Sequence, residues 1–150
     1  MVYINSDGNG RGFVGVGGSH TLERLANELG DEVIDPQTGI SVNDRLKHAR
    51  AVDGAADVYT RRDRRIGPLG SGSDYTPFLQ HLGIASLNIG FGGENGGGSY
   101  HSIFDSYDHY SRFGDPGFAY GITLAKTAGR ATLRMANADV LPFRFGNFAD

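Results

Sequence analysis

The chain has no cysteine, so it holds no disulfide framework, no thiol nucleophile and no thiolate metal site. Any metal it helps to bind must be held by His, Asp and Glu. No run of about 18 apolar residues occurs, which excludes a membrane-spanning helix. Positive charge is also scarce. The formal charge is −3, and the most basic stretch, Arg61 to Arg65, is interrupted by Asp63. This balance argues against nucleic acid as the main partner. The N-terminus lacks a charged n-region, an apolar h-region and a small-residue cleavage site. Instead Met1 leads straight into the β-branched and aromatic run Val2-Tyr3-Ile4-Asn5, which reads as a strand. A strand this close to the first residue suggests a piece cut at a domain edge.

What the chain has in excess is glycine, 24 of 150 residues, about twice ordinary usage. The glycines follow no three-residue period, so a collagen helix is excluded. A chain of this length fits one domain and buries roughly 70% of its unfolded surface. Ser6 to Gly12 reads as a loop, and the Gly-rich tract continues through Gly18. Ser19 or Thr21 is expected to cap a helix carrying Leu22, Leu25, Ala26 and Leu29, with Gly30 as its stop. Turn chemistry at Asp35-Pro36-Gln37-Thr38-Gly39 precedes a second helix from Ser41. Thr60 to Arg65 reads as exposed. Ser73 is expected to cap a short helix with Phe78, Leu79 and Leu82 facing inward, ended by Gly83. The second strand is Ile84 to Phe91, nearly continuous in apolar character, as buried parallel strands are. Asp115-Pro116 starts a long helix with Phe118, Ile122, Ala125, Leu133 and Met135, bent near Gly129. Strands alternating with helices argue a layered α/β fold.

Two side chains stand where open α/β sheets place ligands, beyond the carboxyl ends of strands. Asp7 follows the first strand, and His101 follows the second strand and its Gly-rich loop. A loop Asp beside Gly8 also serves simply to bond its own backbone, and a lone His is often structural. Carboxylate and neutral imidazole both suit Zn²⁺, but two ligands do not make a site. Other motifs fail. Asp7-Gly8-Asn9-Gly10-Arg11-Gly12 opens like a calcium loop, yet Arg11 takes a ligand position and Gly18 stands where a bidentate Glu belongs. Neither Gly-rich tract ends in Gly-Lys-Ser/Thr, so a phosphate loop is excluded. Gly70-Ser71-Gly72-Ser73 lacks the order of a nucleophile elbow and reads best as backbone leading into a helix N-terminus.

Six segments occur in a telling order. They are Tyr3-Ile4-Asn5-Ser6-Asp7, Leu69-Gly70-Ser71-Gly72-Ser73-Asp74 with Leu82-Gly83-Ile84-Ala85-Ser86, Tyr100-His101-Ser102, and Ala136-Asn137 with Leu141-Pro142-Phe143. Together they resemble the C-terminal half of the protease domain of glutamate carboxypeptidase II-like zinc peptidases, relatives of the transferrin receptor. The resemblance covers nearly the whole chain. It implies a partial α/β/α zinc-exopeptidase-like domain over residues 1–150, two zinc ions in the parent protein, and a peptide substrate. It places Asp7 on a ligand of one zinc and His101 on a ligand of the other. Tyr100 falls on the Tyr that stabilises the oxyanion, and Gly72 on the Gly whose backbone meets the scissile amide. Ser73 falls where some relatives carry a substrate-contacting Asn. The resemblance further implies a periplasmic or extracellular setting and a homodimer formed through a helical domain absent here.

The departures bear on activity. The other zinc ligands, the bridging Asp and the general-base Glu lie upstream in that family and are absent. The isolated fragment is therefore expected to be inactive and to hold little or no zinc. Where carboxypeptidase relatives carry two Arg, this chain has Asn88 and Gly90, which puts a preference for acidic residues in doubt. The alternatives are a non-catalytic, receptor-like binding domain of the same fold and an independent binding domain without metal.

Overall fold

A computed structural model describes residues 1–55, 60–94 and 99–148. Its centre is a three-stranded mixed sheet in the order β1 (Val2–Asn5), β3 (Ala85–Gly93), β2 (Gly12–Gly18). Strand β1 runs parallel to β3, with Asn5 opposite Asn88, and β2 runs antiparallel to it. Strand β2 corrects the expected loop. Its alternation is Gly-Phe-Val-Gly-Val-Gly-Gly, and the valines bury on one face while glycines allow the backbone to pack closely. A Cβ at Gly18 would meet the Ser86 carbonyl at 2.6 Å, so only glycine fits this crossing. Turn-forming composition and edge-strand composition look alike where the partner strand is remote in sequence.

Helices α1 (Glu23–Glu32) and α3 (Ala119–Ala136) pack on the face that carries Leu87 and Ile89. With Leu22, Leu25, Leu29, Ile66 and Ala131 they form the main core. Each such fully buried aliphatic side chain contributes roughly 1.5–3 kcal/mol. Helix α1 is entered through a 3₁₀ turn at His20–Leu22, with no side-chain cap. Ser19 Oγ accepts from the Ser86 amide of β3 instead, 3.1 Å away. Gly30 does not end the helix. It sits inside α1, buried where a Cβ would come within 3.1 Å of Asn43 Cβ. Helix α2 (Val42–Val52) begins as expected, Ser41 Oγ accepting from the Asp44 amide at 3.0 Å.

Three further expectations are corrected. Ser73 caps nothing with its side chain, since Thr76 precedes the short helical turn Pro77–His81 and the Ser73 hydroxyl turns to Asp7. Leu82 is exposed rather than inward, and on the long helix Ile122 and Leu133 are exposed as well. Helix α3 turns Tyr120, Thr123, Thr127 and Ala131 inward, because Thr hydroxyls satisfied by the carbonyl one turn back pack as small side chains. Asp63 and Arg64 are half-buried rather than exposed, the Arg64 amide donating to Asn27. Asp115 does cap α3, though from a distance. A short turn intervenes, and its carboxylate accepts the Tyr120 and Gly121 amides at 3.1 and 2.8 Å. The helix runs unbroken through Gly129.

One polar cluster lies inside this fold. Arg45 on α2 donates to Asp35 at 2.7 Å, to the Gly12 carbonyl at 3.1 Å, and closely to Tyr120 and Glu94. Its guanidinium also lies over the Phe13 ring. Burial pushes the Asp35 carboxyl up, but hydrogen bonds from Arg45 and Thr38 outweigh it and leave the group below the usual carboxylate range. Burial and the Asp35 hydrogen bond together push the Tyr120 phenol far above its ordinary value. Both groups stay in one protonation state, and the cluster clamps the end of β3 at Glu94 to helix α2.

Candidate functional site

Because β1 and β3 are parallel, their carboxyl ends emerge on the same edge of the sheet. Asp7 lies two residues beyond β1 and is exposed there. Asn5 is buried, and its amide nitrogen donates to Asp7 Oδ1 at 3.0 Å, to Asn88 Oδ1 at 3.1 Å and to Ser73 Oγ at 3.2 Å. Asn88 in turn donates to Asp7 Oδ2 at 3.0 Å. The Ser73 hydroxyl donates to Asp7 Oδ1 in a close contact. The Ser73 hydrogen bond, then that of Asn5, hold the Asp7 carboxyl below its usual value, against slight burial. Asp7 is thus a fixed, ionised carboxylate. It has about four lone-pair positions, and protein donors take three of them. One remains for an external partner.

Neither Asn5 nor Asn88 is identified from the sequence as an anchor of Asp7. The available signal was their polarity at register-matched positions of two otherwise apolar strands.

Gly72 adopts a φ of +107°, a region glycine favours, and its amide donates to Thr76 Oγ1 at 3.2 Å. That bond shapes the bend that delivers Ser73 to Asp7. The other half of the expected site is built differently. Tyr100 is 78% exposed and stacks on His101 with ring centroids 3.7 Å apart. His101 sits at φ 58°, uncommon for a side chain with a Cβ, inside a turn closed by the Ser102 amide on the Ser99 carbonyl. No side-chain hydrogen bond joins either ring to another described residue. Asp7 and Ser73 are therefore brought together, while Tyr100 and His101 form a separate pair. Among the described residues no three His, Asp or Glu side chains converge to hold a metal ion. Nor is any helix among them long and apolar enough to cross a membrane.

Comparison with known proteins bears on this edge. No family model matches the chain. A probable glutamate carboxypeptidase of Arthroderma benhamiae is 37% identical over 131 residues, 85% of this chain and 16% of that protein. A probable glutamate carboxypeptidase of Zea mays is 31% identical over 147 residues, 97% of this chain and 19% of that protein. The chain is a relative of the glutamate carboxypeptidases. An aminopeptidase of Rattus norvegicus is also similar, 34% identical over 91 residues, 57% of this chain and 12% of that protein. The chain thus spans less than a fifth of the length of these relatives. For a glutamate carboxypeptidase relative, a carboxylate fixed at the carboxyl edge of parallel strands is chemically apt. An oxygen donor that is already ionised costs nothing to deprotonate when a hard or borderline cation arrives.

Proposed function

We propose that residues 1–150 are part of the catalytic domain of a di-zinc exopeptidase with a layered α/β/α architecture, acting on peptides. Asp7 gives one ligand to one zinc ion and His101 one ligand to the other. Bound zinc would supply a Lewis acid for the scissile carbonyl and an activated water. The observation that carries this reading is Asp7, exposed at the sheet edge and held ionised by Asn5, Asn88 and Ser73. A loop carboxylate that only stabilised its own turn would bond its own backbone. Asp7 instead gathers side chains from β1, β3 and the Gly72–Ser73 bend.

Tyr100 serves as a donor to the oxyanion. Its side chain is open to solvent and its ring lies flat against His101, which supports giving the two residues to one site. Gly72 and Ser73 offer polar contacts to the peptide beside Asp7. The family resemblance assigns the general base to a residue outside this stretch, so residues 1–150 in isolation are expected to show no peptidase activity.

Tyr100→Phe in the whole protein tests the assignment. Removing one oxyanion donor costs about 2.7–4 kcal/mol, or about 100- to 1,000-fold in kcat. The expected outcome is such a loss with zinc content unchanged and KM little moved. A variant within twofold of wild type in kcat/KM would take Tyr100 out of the mechanism and leave it a packing role beside the Gly-rich loop.

A further inference from the structure

We propose that Tyr110 is a positioning residue for the site: its hydroxyl ties the loop that carries Asp7 to the segment that carries His101. The proposal rests on the peptidase reading above and adds a residue to which that reading gives no role. Asn9 lies two residues beyond Asp7, and Tyr110 nine residues beyond His101. The Asn9 amide nitrogen donates to the Tyr110 hydroxyl at 3.3 Å. That hydroxyl donates in turn to Asp115 Oδ2, also at 3.3 Å. An accessory to the α3 cap would need only the Asp115 bond. A phenol carries one donor and free acceptor lone pairs, so it can make both.

Both partners of Tyr110 are themselves fixed. In the loop, the Gly10 amide donates to the Phe91 carbonyl at 2.9 Å, and the Arg11 carbonyl accepts from the Glu94 amide at 3.1 Å. Residues 9–11 therefore ride on the end of β3. Asp115 is buried and also accepts the Tyr120 and Gly121 amides at the start of α3. The Tyr110 ring reaches this place because it lies over Gly114, where a Cβ would come within 2.9 Å of Cδ2. The segment before Tyr110 has no such footing. Among the described residues, the hydrogen bonds, ion pairs and ring stacks of Ser99 to His109 all stay within residues 99–118. The Asn9 bond, with the Arg11 amide on the Gly114 carbonyl at 3.0 Å, is thus what joins this segment to the Asp7 loop. These bonds set how far the His101 segment stands from Asp7, while the imidazole itself stays free to turn.

Two variants of the whole protein, Tyr110→Phe and Asn9→Ala, test this with and without zinc. In metal-free protein, hydrogen exchange is read by mass spectrometry over peptides spanning 8–12 and 99–110. Both variants are expected to quicken it by about fivefold, the worth of one hydrogen bond. After zinc is restored, affinity for one of the two ions should fall by about 10- to 100-fold, as it does when a group that orients ligands is lost. The double variant should add less than about twofold to either single one, since both remove the same bond. Exchange in 99–110 that Asn9→Ala leaves unmoved overturns the proposal, and so does unaltered zinc affinity in both variants. Tyr110 then serves only the α3 cap, and Tyr110→Phe loosens residues 119–122 alone. Asn9→Ala decides even if Tyr110→Phe misfolds. His101→Ala separates the two readings. Zinc lost there but kept in both variants overturns only the positioning role, whereas a wild-type protein that binds no zinc overturns the peptidase reading and this role with it.

Discussion

Asp7 and His101 occupy opposite circumstances although both follow strands of one sheet. The carboxylate is gripped by Asn5, Asn88 and Ser73, its charge fixed before anything binds. The imidazole is exposed at positive φ, with one aromatic ring against it and no described hydrogen bond. The difference has a local cause. Asp7 is two residues from β1 and inherits that strand's register, whereas His101 lies eight residues beyond the end of β3. The chain therefore preorganises one of the two proposed ligands and leaves the other to be oriented by what it meets. In a finished metal site such orientation comes from neighbouring groups that bond the ligands, and here only Asp7 has them.

The largest expected effect probes where rigidity ends along β3. Arg45→Met leaves Asp35 buried without its cation and releases Glu94, and should cost about 3–5 kcal/mol in urea unfolding. A loss under about 1 kcal/mol would mean that the clamp on the strand end is ornamental. Acid sharpens the same point. Asp35 and Asp7 both titrate below their ordinary values in the folded chain, so the stability they add is complete above about pH 4. It drains as pH falls through their lowered folded values. Asp35→Asn should flatten the acid limb of the stability profile. An unchanged profile would show that Asp35 gains nothing from its ionised form.

A smaller effect is expected at the anchor itself. Ser73→Ala removes the strongest contributor to the lowered Asp7 titration, so carboxyl NMR should follow Asp7 back toward its ordinary value. Stability should fall by about 1 kcal/mol or less, since the bond is solvent-exposed. An unmoved Asp7 titration would dissolve the contrast between held and open ligands. At the other end, His101→Ala should change stability by no more than about 0.5 kcal/mol. A larger loss would show that the imidazole is already anchored.

Much of this was legible in the sequence. The apolar run of β3, the Ser41 cap and the Asp115 cap are local signals, and each is present. The position of Asp7 beyond the carboxyl end of a strand was legible too. Strand β2 was not legible, because its evidence is a hydrogen-bond partner some 75 residues away rather than its own glycine-rich composition. The exposed Ile122 and Leu133 likewise contradict helical patterning, which registers apolarity but not which face finds a neighbour. The Arg45 cluster joins α2, β2, β3 and α3, and no single window of sequence contains it.

The central claim is that, of the two proposed ligands, Asp7 is prepared and His101 is not, with no complete metal site among the described residues. Calorimetric titration of the 150-residue chain with Zn²⁺ tests it most directly. A stable protein zinc site needs about four ligands, so only weak, substoichiometric heat is expected, reduced by Asp7→Ala more than by His101→Ala. Stoichiometric, sub-micromolar binding that His101→Ala abolishes would contradict the account.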